Sequence, residues 1–179
     1  MTRLRLAVDP QAPECDLPLA PGSASALAAW QARVGEILTF QAPDGTFWRG
    51  RLLPGEASAR LFQRLEASPE PAAPRRLWQA VPDRERMEWI LQKAVELGAT
   101  EIRPLFTARS NQSGQGRPRQ DKSATWGRIV RDAARQCRRA ELPVLAPPLT
   151  LEEALALPAP GGERVWLEVA GARQSLASL

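Results

Sequence analysis

Residues 82–98 read PDRERMEWILQKAVELG, the clearest helical pattern in the chain. Plotted at about 100° per residue, the apolar side chains of this segment share one arc: Met87, Ile90, Leu91, Ala94, Val95 and Leu97. Arg86, Trp89 and Lys93 recur together on the polar side. Gly98 follows the last apolar residue, at the position where a helix favours a left-handed conformation. The segment predicts a helix over 84–97 with one buried face and one basic, aromatic side.

Strands and helices alternate on both sides of this helix. Further segments are predicted from their apolar spacing: strands at 77–81, 101–106, 142–145 and 165–169, and a second helix at 123–140. A third helix begins after Thr150, whose capping box is completed by Glu153. This alternation is typical of a mostly parallel α/β sheet.

Residues 1–66 have a different pattern, with several short strands and glycine turns. The strands are predicted at 4–8, 36–40, 46–53 and 59–65. Asp44 and Gly45 form a hairpin signal, and one helix is predicted over 23–32. Such a unit is typical of a small β-barrel. Prolines then mark a linker at 67–75, so we expect an α+β chain with a barrel at 1–66 and an α/β unit at 76–179.

The composition excludes several kinds of site. Histidine is absent, which rules out Ser-His-Asp and Cys-His nucleophile systems and the usual histidine metal sites. Tyrosine is absent too, so a general acid or base must be Asp, Glu, Lys or water. Cys15 and Cys137 stand far apart and predict two reduced thiols, with Cys137 in the core, rather than a disulfide or a metal site. The sequence has no apolar run of about 18 residues and no signal-peptide pattern, so we expect a cytoplasmic protein without a membrane span.

Arginine supplies almost all of the positive charge. The net charge is +4, and Lys93 and Lys122 are the only lysines. A genome rich in G and C would produce the same bias, but it would not explain how the arginines are placed. In the second predicted helix the apolar face is formed by Trp126, Ile129, Val130, Ala133, Ala134 and Cys137. Five arginines gather almost opposite: Arg128, Arg131, Arg135, Arg138 and Arg139.

Like charges on one helix face repel each other unless an anion relieves them. A polyanion such as RNA or DNA is therefore favoured over a plain solvated surface. Arg109 opens a polar loop that adds further cations. The polar side of the first helix has two interpretations: Trp89 stacks on a base, or it packs against the N-terminal unit while Arg86 and Lys93 stay solvated.

Several short motifs follow one another over residues 77–157. They are Arg86-Met87-Glu88-Trp89, Gln92-Lys93, Glu96-Leu97-Gly98, Ile102, Pro104-Leu105 and Arg109-Ser110, followed by Trp126, Ile129, Ala134, Gln136, Arg139 and Pro143. In order and spacing they resemble the methyltransferase domain of the bacterial 16S ribosomal RNA uracil-N3 methyltransferase family. The resemblance implies an RNA-binding barrel of PUA type joined to an α/β-knot (SPOUT) domain that works as a homodimer. It also implies that S-adenosylmethionine is used to methylate N3 of a uracil in 16S rRNA of the small ribosomal subunit.

The family match implies roles for individual residues. Methylation at N3 requires loss of an imide proton, and an arginine beside the base stabilises the resulting anion. Arg5 and Arg139 are the candidates for this role. Gln136 is a candidate to hydrogen-bond the base, or else an amide on a helix surface. RNA phosphates are expected to contact the other cations: Arg86, Lys93, Arg109, Arg128, Arg131, Arg135 and Arg138.

The family's glycine-rich knot loop and the segment after it have no counterpart in this sequence. We therefore expect an incomplete knot domain, with no residue assigned to the cofactor and no methyl transfer by the chain alone. The family's enzyme is the first functional hypothesis. The alternative is a non-catalytic RNA-binding remnant that lacks the cofactor pocket, and a third, weaker one is a decayed product that folds poorly.

Overall fold

The computed structural model describes residues 2–55, 57–110, 124–158, 161 and 165–167. Its architecture is α+β, as predicted from the sequence. A curled sheet of five strands occupies the N-terminal part, and a parallel sheet of four strands with its helices follows. No described helix is long and apolar enough to cross a membrane.

The curled sheet is formed by β1 (Leu4–Arg5), β2 (Asp16–Pro18), β3 (Ile37–Gln41), β4 (Phe47–Leu52) and β5 (Ser58–Arg64). Their order is β1-β3-β4-β5-β2, with β1 parallel to β3 and the other neighbours antiparallel. A bridge between Leu6 and Leu19 joins the two outer strands, so hydrogen bonding continues around the ring. β2 was not predicted, because three residues ending in a proline carry no readable alternation.

Apolar side chains fill the inside of this ring. Phe40 on β3 and Leu61 on β5 are completely buried. Trp30 closes one side from α1 (Ser23–Trp30), where it is 1% exposed and donates from Nε1 to the carbonyl of Thr2 at 2.6 Å. Gly50 lets β4 approach β5, since a Cβ at this position would lie 2.7 Å from the Cδ2 atom of Leu61. Burial of these apolar groups drives the curling of the sheet.

The second sheet is formed by β6 (Arg76–Ala80), β7 (Glu101–Phe106), β8 (Val144–Leu145) and β9 (Leu149–Thr150). β7 is central: β6 pairs along one edge, and β8 and β9 pair with successive parts of the other, all in parallel. The helices are α2 (Arg84–Glu96), α3 (Trp126–Gln136) and α4 (Leu151–Leu155). The predicted capping box of Thr150 and Glu153 opens α4.

The end of the predicted pattern differs from the structure. The sequence predicts a strand at 165–169, but residues 165–167 have no strand partner among the described residues, and residues 168–169 lie outside that part of the chain. The side chains of Val165, Trp166 and Leu167 are exposed. β9, which was not predicted, is only two residues long, too short for a periodic signal.

Residues far apart in sequence tie the two sheets together. The Oγ1 atom of Thr2 accepts a hydrogen bond from the N–H of Leu142 at 3.0 Å. Beside it, Arg3 pairs with Glu141 at 2.6 Å. Residues that follow α3 therefore lie against the first strand of the curled sheet.

Candidate nucleic-acid interface

α2 follows the predicted pattern closely. Its N-cap is Asp83, whose carboxylate accepts a hydrogen bond from the backbone N–H of Arg86 at 3.0 Å. Most of the predicted apolar face is buried: Met87, Leu91, Ala94 and Val95. Leu97 is an exception at 74% exposed, because the helix ends at Glu96 and the backbone turns at Gly98 with φ 88°.

The polar side of α2 brings the predicted trio to the surface. Trp89 is 61% exposed, so it does not pack against the curled sheet as one interpretation of the sequence required. Arg86 pairs with Asp83 at 3.2 Å and Lys93 with Glu96 at 2.7 Å, both within the same segment. Exposed pairs of this kind are weak, so both cations remain available to a stronger anion.

α3 buries the predicted apolar face over most of its length: Trp126, Ile129, Val130, Ala133 and Ala134. The helix ends at Gln136, before its predicted end at 140, with Cys137 as the C-cap and Arg138 in the left-handed region at φ 56°. Cys137 is exposed, not in the core as predicted, because the helical register is lost there. The turn at Arg138 also sends the following residues in a new direction.

The predicted single face of five arginines is therefore not formed. Arg128 is 64% exposed and its guanidinium lies 3.4 Å from the carboxylate of Asp132. Arg131 is half-buried, and its Nε has no hydrogen-bond partner among the described residues. These two side chains are the part of the predicted face that stays on the helix and in reach of solvent. Their contact with RNA stays a prediction.

Arg135 turns toward the curled sheet instead of toward solvent. Its Nε lies 3.0 Å from Oε1 of Glu36, and the side chain is 19% exposed. Its Nη2 donates to the carbonyls of Trp30 and Gln31, which end α1. Because these acceptors saturate one side of the guanidinium, Arg135 links the two sheets rather than offering a free cation to a ligand.

Arg138 is exposed and lies where the two sheets meet. Its carbonyl accepts a hydrogen bond from Oγ1 of Thr39 at 2.9 Å, and Thr39 is 2% exposed. The backbone of Arg138 is thereby fixed on β3 while the side chain remains at the surface. A phosphate contact for this side chain stays a prediction.

Arg139 is enclosed. Its side chain is 5% exposed, and its Nε donates to Oε2 of Glu70 at 2.8 Å, with Nη2 on the same oxygen. Its Nη1 donates to the carbonyls of Val95 and Ala99 at 3.0 and 3.2 Å. A guanidinium engaged in this way cannot reach a bound base, so the structure argues against the predicted catalytic role and for a structural one.

Arg5 and Gln136, the other residues predicted to act on the base, are exposed. Arg5 ends β1, and Gln136 ends α3. Arg109 is exposed in the turn after β7. Since Arg139 is enclosed, the structure does not bring it to a common surface with Arg5.

A second group of arginines was not predicted as a site. Arg49 and Arg51 point outward from β4, and Arg51 lies directly opposite Arg60 of β5. Phe62 stands in the same strand and is 37% exposed. The signal in the sequence was the spacing of the arginines, because residues two apart in a strand point to the same side.

Ligands of open parallel sheets, nucleoside cofactors among them, bind beyond the carboxyl ends of the strands. After β7, the Oγ of Ser110 accepts from the N–H of Thr107 at 3.0 Å. After β9, Oγ1 of Thr150 accepts from the N–H of Glu153 at 3.1 Å. Because these polar groups serve local turns and caps, the described residues do not by themselves form a site that fits the cofactor.

Comparison with known proteins gives a family match. A family model described as an RNA methyltransferase domain matches residues 69–177. Ribosomal RNA small subunit methyltransferase E of Synechocystis is 36% identical over 107 residues, which cover 59% of this chain and 34% of that protein. The protein of the same name in Bacillus subtilis is 36% identical over 63 residues, 35% of this chain and 25% of the relative. The matched segment thus spans about a third or less of these curated relatives.

Solved structures agree with this match. A ribosomal RNA small subunit methyltransferase E from Neisseria gonorrhoeae, bound to S-adenosyl methionine, is similar at 27% identity and a TM-score of 0.50, covering 88% of this chain and 67% of that one. A structure described as a hypothetical protein has a TM-score of 0.53 at 22% identity, covering 81% and 60% of the two chains. The second likeness concerns the fold alone.

Proposed function

The chain belongs to the RNA methyltransferase domain family, and from this premise we propose that it is part of an enzyme that methylates N3 of a uracil in 16S ribosomal RNA. The observation that carries the proposal is the family match over 69–177, which spans the whole parallel sheet and its helices. The names of two relatives support the ribosomal RNA substrate. The alternative, a non-catalytic RNA-binding remnant, is supported by no observation that the enzyme does not explain equally well.

We further propose a division into a PUA-like barrel at 1–66, a linker at 67–75 and part of an α/β-knot (SPOUT) domain at 76–179. The ring of hydrogen bonds through Leu6 and Leu19 supports the barrel. The parallel pairing of every strand in the second sheet supports the α/β part. A homodimer, a cytoplasmic location and the small ribosomal subunit as partner belong to the same proposal.

S-adenosylmethionine is proposed as the methyl donor, because a related structure is described as bound to it. When bound, it supplies the methyl group and leaves a neutral thioether. The described residues do not fit the cofactor by themselves, so no residue is assigned to it. The roles proposed for this chain concern the RNA.

Loss of the N3 proton leaves negative charge on the uracil ring, and a cation beside the ring lowers the energy of that state. Arg5 is our remaining candidate, since its guanidinium is exposed and makes no ion pair within the described part of the chain. Gln136 is proposed to hydrogen-bond the base edge. Arg139 is proposed as a positioning residue instead, because it fixes the backbone that follows Gln136.

Phosphate contacts are proposed for the cations that stay in reach of solvent: Arg86, Lys93, Arg109, Arg128, Arg131 and Arg138. Arg135 is proposed to support this surface by holding α3 against the curled sheet. Each phosphate contact releases counterions, so binding should weaken steeply with salt.

The proposal is tested by disrupting the gene in its native cells and measuring modified nucleosides of 16S rRNA by mass spectrometry. We expect one N3-methyluridine to disappear and to return when the native gene is restored. The Arg5→Gln gene should restore about a hundredth of the methylation rate or less, and the Arg84→Gln gene, which changes an exposed arginine outside the proposed site, should restore it fully. Unchanged methylation after disruption would overturn the proposal, and retained binding to rRNA would then favour the non-catalytic alternative.

A further inference from the structure

The parallel sheet has one open edge. β7 has neighbours on both sides, whereas β6 pairs only with β7 among the described strands. The N–H of Val81 donates to the carbonyl of Leu105 at 2.9 Å. Since residues two apart in a strand point the same way, Leu77 and Gln79 also face β7. The backbone groups of the other three residues of β6 point to the open edge: Arg76, Trp78 and Ala80.

This edge has little of what normally protects an open strand. Natural edge strands are blunted by charged side chains, prolines, bulges or a covering element, because their free N–H and C=O groups invite another strand. β6 has a charge only at its first residue, Arg76, and contains no proline. The carbonyl of Ala80 accepts from the side-chain amide of Gln79 at 2.8 Å, a local substitute for a strand partner. The edge is thus suited to accept an extended segment.

The helices of this unit lie on two sides of the sheet. Ile102 of β7 is completely buried in one apolar cluster with Met87 of α2 and Val130 of α3, so both helices cover the same side. Leu105 points to the other side of β7, is 5% exposed, and lies outside that cluster. α4 packs against β7 and β9, and its completely buried Ala154 also lies outside the cluster. α4 therefore covers the side opposite α2 and α3.

The side on which α4 lies decides where the next strand belongs. Connections between parallel strands are right-handed in nearly all cases. α2 leads from β6 to β7 and α3 from β7 to β8, in one direction across the sheet. A helix on the opposite side must lead in the reverse direction. The strand after α4 is therefore expected beyond β6, at the open edge, as in doubly wound sheets whose strand order reverses.

An apolar segment with no strand partner follows α4. Val165, Trp166 and Leu167 are 51%, 70% and 73% exposed, and they pair with no described strand. Large apolar side chains in water favour burial. The family match runs to residue 177, so this segment belongs to the same domain as β6.

The connection is long enough for the segment to reach the edge. Residues 156–164 lie between α4 and the segment. A chain of that length spans up to about 30 Å when extended. Crossing from β9 to a position beyond β6 covers three strand spacings, about 15 Å.

We propose that residues 165–167 dock on the open edge of β6 as a further parallel strand. The segment is undocked in the structure, and we expect the docked form to predominate in solution. Docking pairs the free backbone groups of Trp78 and Ala80 and covers an edge that would otherwise recruit another chain. It also makes a switch point between β6 and the added strand, the position at which open α/β sheets bind ligands. The inference concerns the fold and does not rest on the proposed methylation.

Hydrogen exchange of backbone amides, followed by NMR on the full chain, tests docking without knowledge of its register. The edge amides, those of Trp78 and Ala80, should exchange about tenfold or more slowly than unpaired amides in the native chain. The amides of Leu77 and Gln79 face β7 and are internal controls. These control amides should be protected in every variant that folds.

Proline substitutions remove the N–H groups that docking needs. Alternate residues of a strand present their N–H groups to the same neighbour, so two variants are required: Trp166→Pro, and Val165→Pro combined with Leu167→Pro. Whichever set pairs with β6, one of the two variants should exchange its edge amides about tenfold faster than the native chain. Trp89→Ser changes another exposed tryptophan, 61% exposed on α2, and should leave the edge amides unchanged.

Fast exchange of the edge amides in the native chain would overturn the inference, because the edge would be open. Protection that persists in both proline variants would overturn it as well. If that protection fell on dilution, and light scattering gave the mass of two chains, a second copy would cover the edge instead. Disruption of the gene and its effect on 16S rRNA methylation bear only on the proposed function, so the two proposals can fail separately.

Discussion

Two arginine–carboxylate pairs in this protein have similar donor–acceptor distances and opposite surroundings. On the curled sheet, Arg60 donates to Asp16 at 2.7 and 2.8 Å, with side chains 60% and 46% exposed. Behind α3, Arg139 donates from Nε to Glu70 at 2.8 Å, with side chains 5% and 10% exposed. The distances are alike and the solvent exposure is not, so exposure is expected to decide what each pair contributes to stability.

The buried pair is part of a larger network. Oε1 of Glu70 accepts from the N–H groups of Ala140 and Glu141 at 2.7 and 3.0 Å, while Oε2 takes the guanidinium. Both oxygens are therefore occupied, and the linker is fixed to the chain after α3. The exposed pair has water as a competitor at every contact, so its arginine can exchange its partner for a ligand.

Glu70→Gln, in the buried pair, should have the largest effect on stability. The amide keeps an acceptor for the two backbone N–H groups but leaves the buried charge of Arg139 without a counter-ion. We expect a loss of about 3–5 kcal/mol in the free energy of unfolding, measured by urea denaturation.

The control for this prediction is the double variant Glu70→Gln with Arg139→Met. Removing the charge together with its partner should recover much of the stability, because an apolar side chain has no desolvation penalty. A loss below about 1 kcal/mol in the single variant would mean that the pair behaves like an exposed one.

Arg135→Gln provides an intermediate case. The side chains of the Arg135–Glu36 pair are 19% and 22% exposed. The substitution also removes the contacts of Arg135 with the end of α1. We expect a loss of about 2 kcal/mol, measured in the same way. Arg128→Gln, on the same helix but 64% exposed, is the matched control and should change stability far less. Equal losses of stability in the two variants would mean that burial does not decide how much an arginine contributes.

Asp16→Asn tests the exposed pair of Arg60 and Asp16. It removes the counter-ion of Arg60 but keeps the shape of the side chain, and the pair lies in water. We expect only a slight fall in melting temperature at pH 7. A clear fall in melting temperature would mean that the exposed pair stabilises the curled sheet after all.

The smallest effect is expected in acid. The hydrogen bond and charge of Arg60 lower the pKa of Asp16 below its ordinary value. A lowered pKa in the folded state contributes stability above the ordinary value of about 3.9 and loses it as pH falls through the folded value. The native chain should therefore lose slightly more stability than Asp16→Asn between about pH 4 and pH 2, measured by melting at each pH. Parallel curves for the two proteins would contradict this.

Sequence and structure agree where the signal is local. Asp83, the apolar face of α2 and Gly98 all lie within one helix, so their spacing was enough to predict it. The hairpin turn was predictable for the same reason, since the carboxylate of Asp44 accepts from the N–H of Thr46 at 2.8 Å, two residues away.

Distant partners could not be predicted in this way. Glu70 stands in a proline-rich linker with no regular structure, and its partner Arg139 is 69 residues away. The five-arginine face failed for two reasons that no periodicity reveals. Arg135 is held by Glu36 and the end of α1, and the left-handed Arg138 ended the helical register before Arg139. The arginines of β4 and β5 were visible only as an alternating pattern, and the counter-ion of Arg60 is Asp16 from another part of the chain.

The contacts of Thr2 have a consequence for the order of folding during synthesis. Trp30 donates to the carbonyl of Thr2, and Thr2 in turn exchanges hydrogen bonds with Leu142. A ribosome makes Thr2 at the start and Leu142 more than a hundred residues later, and domains otherwise tend to fold from the N-terminus onward. The contacts that hold the start of the first strand can therefore form only after residue 142 has been synthesised. Until they do, we expect the N-terminal ring to stay incomplete and to be a substrate for chaperones that act on nascent chains.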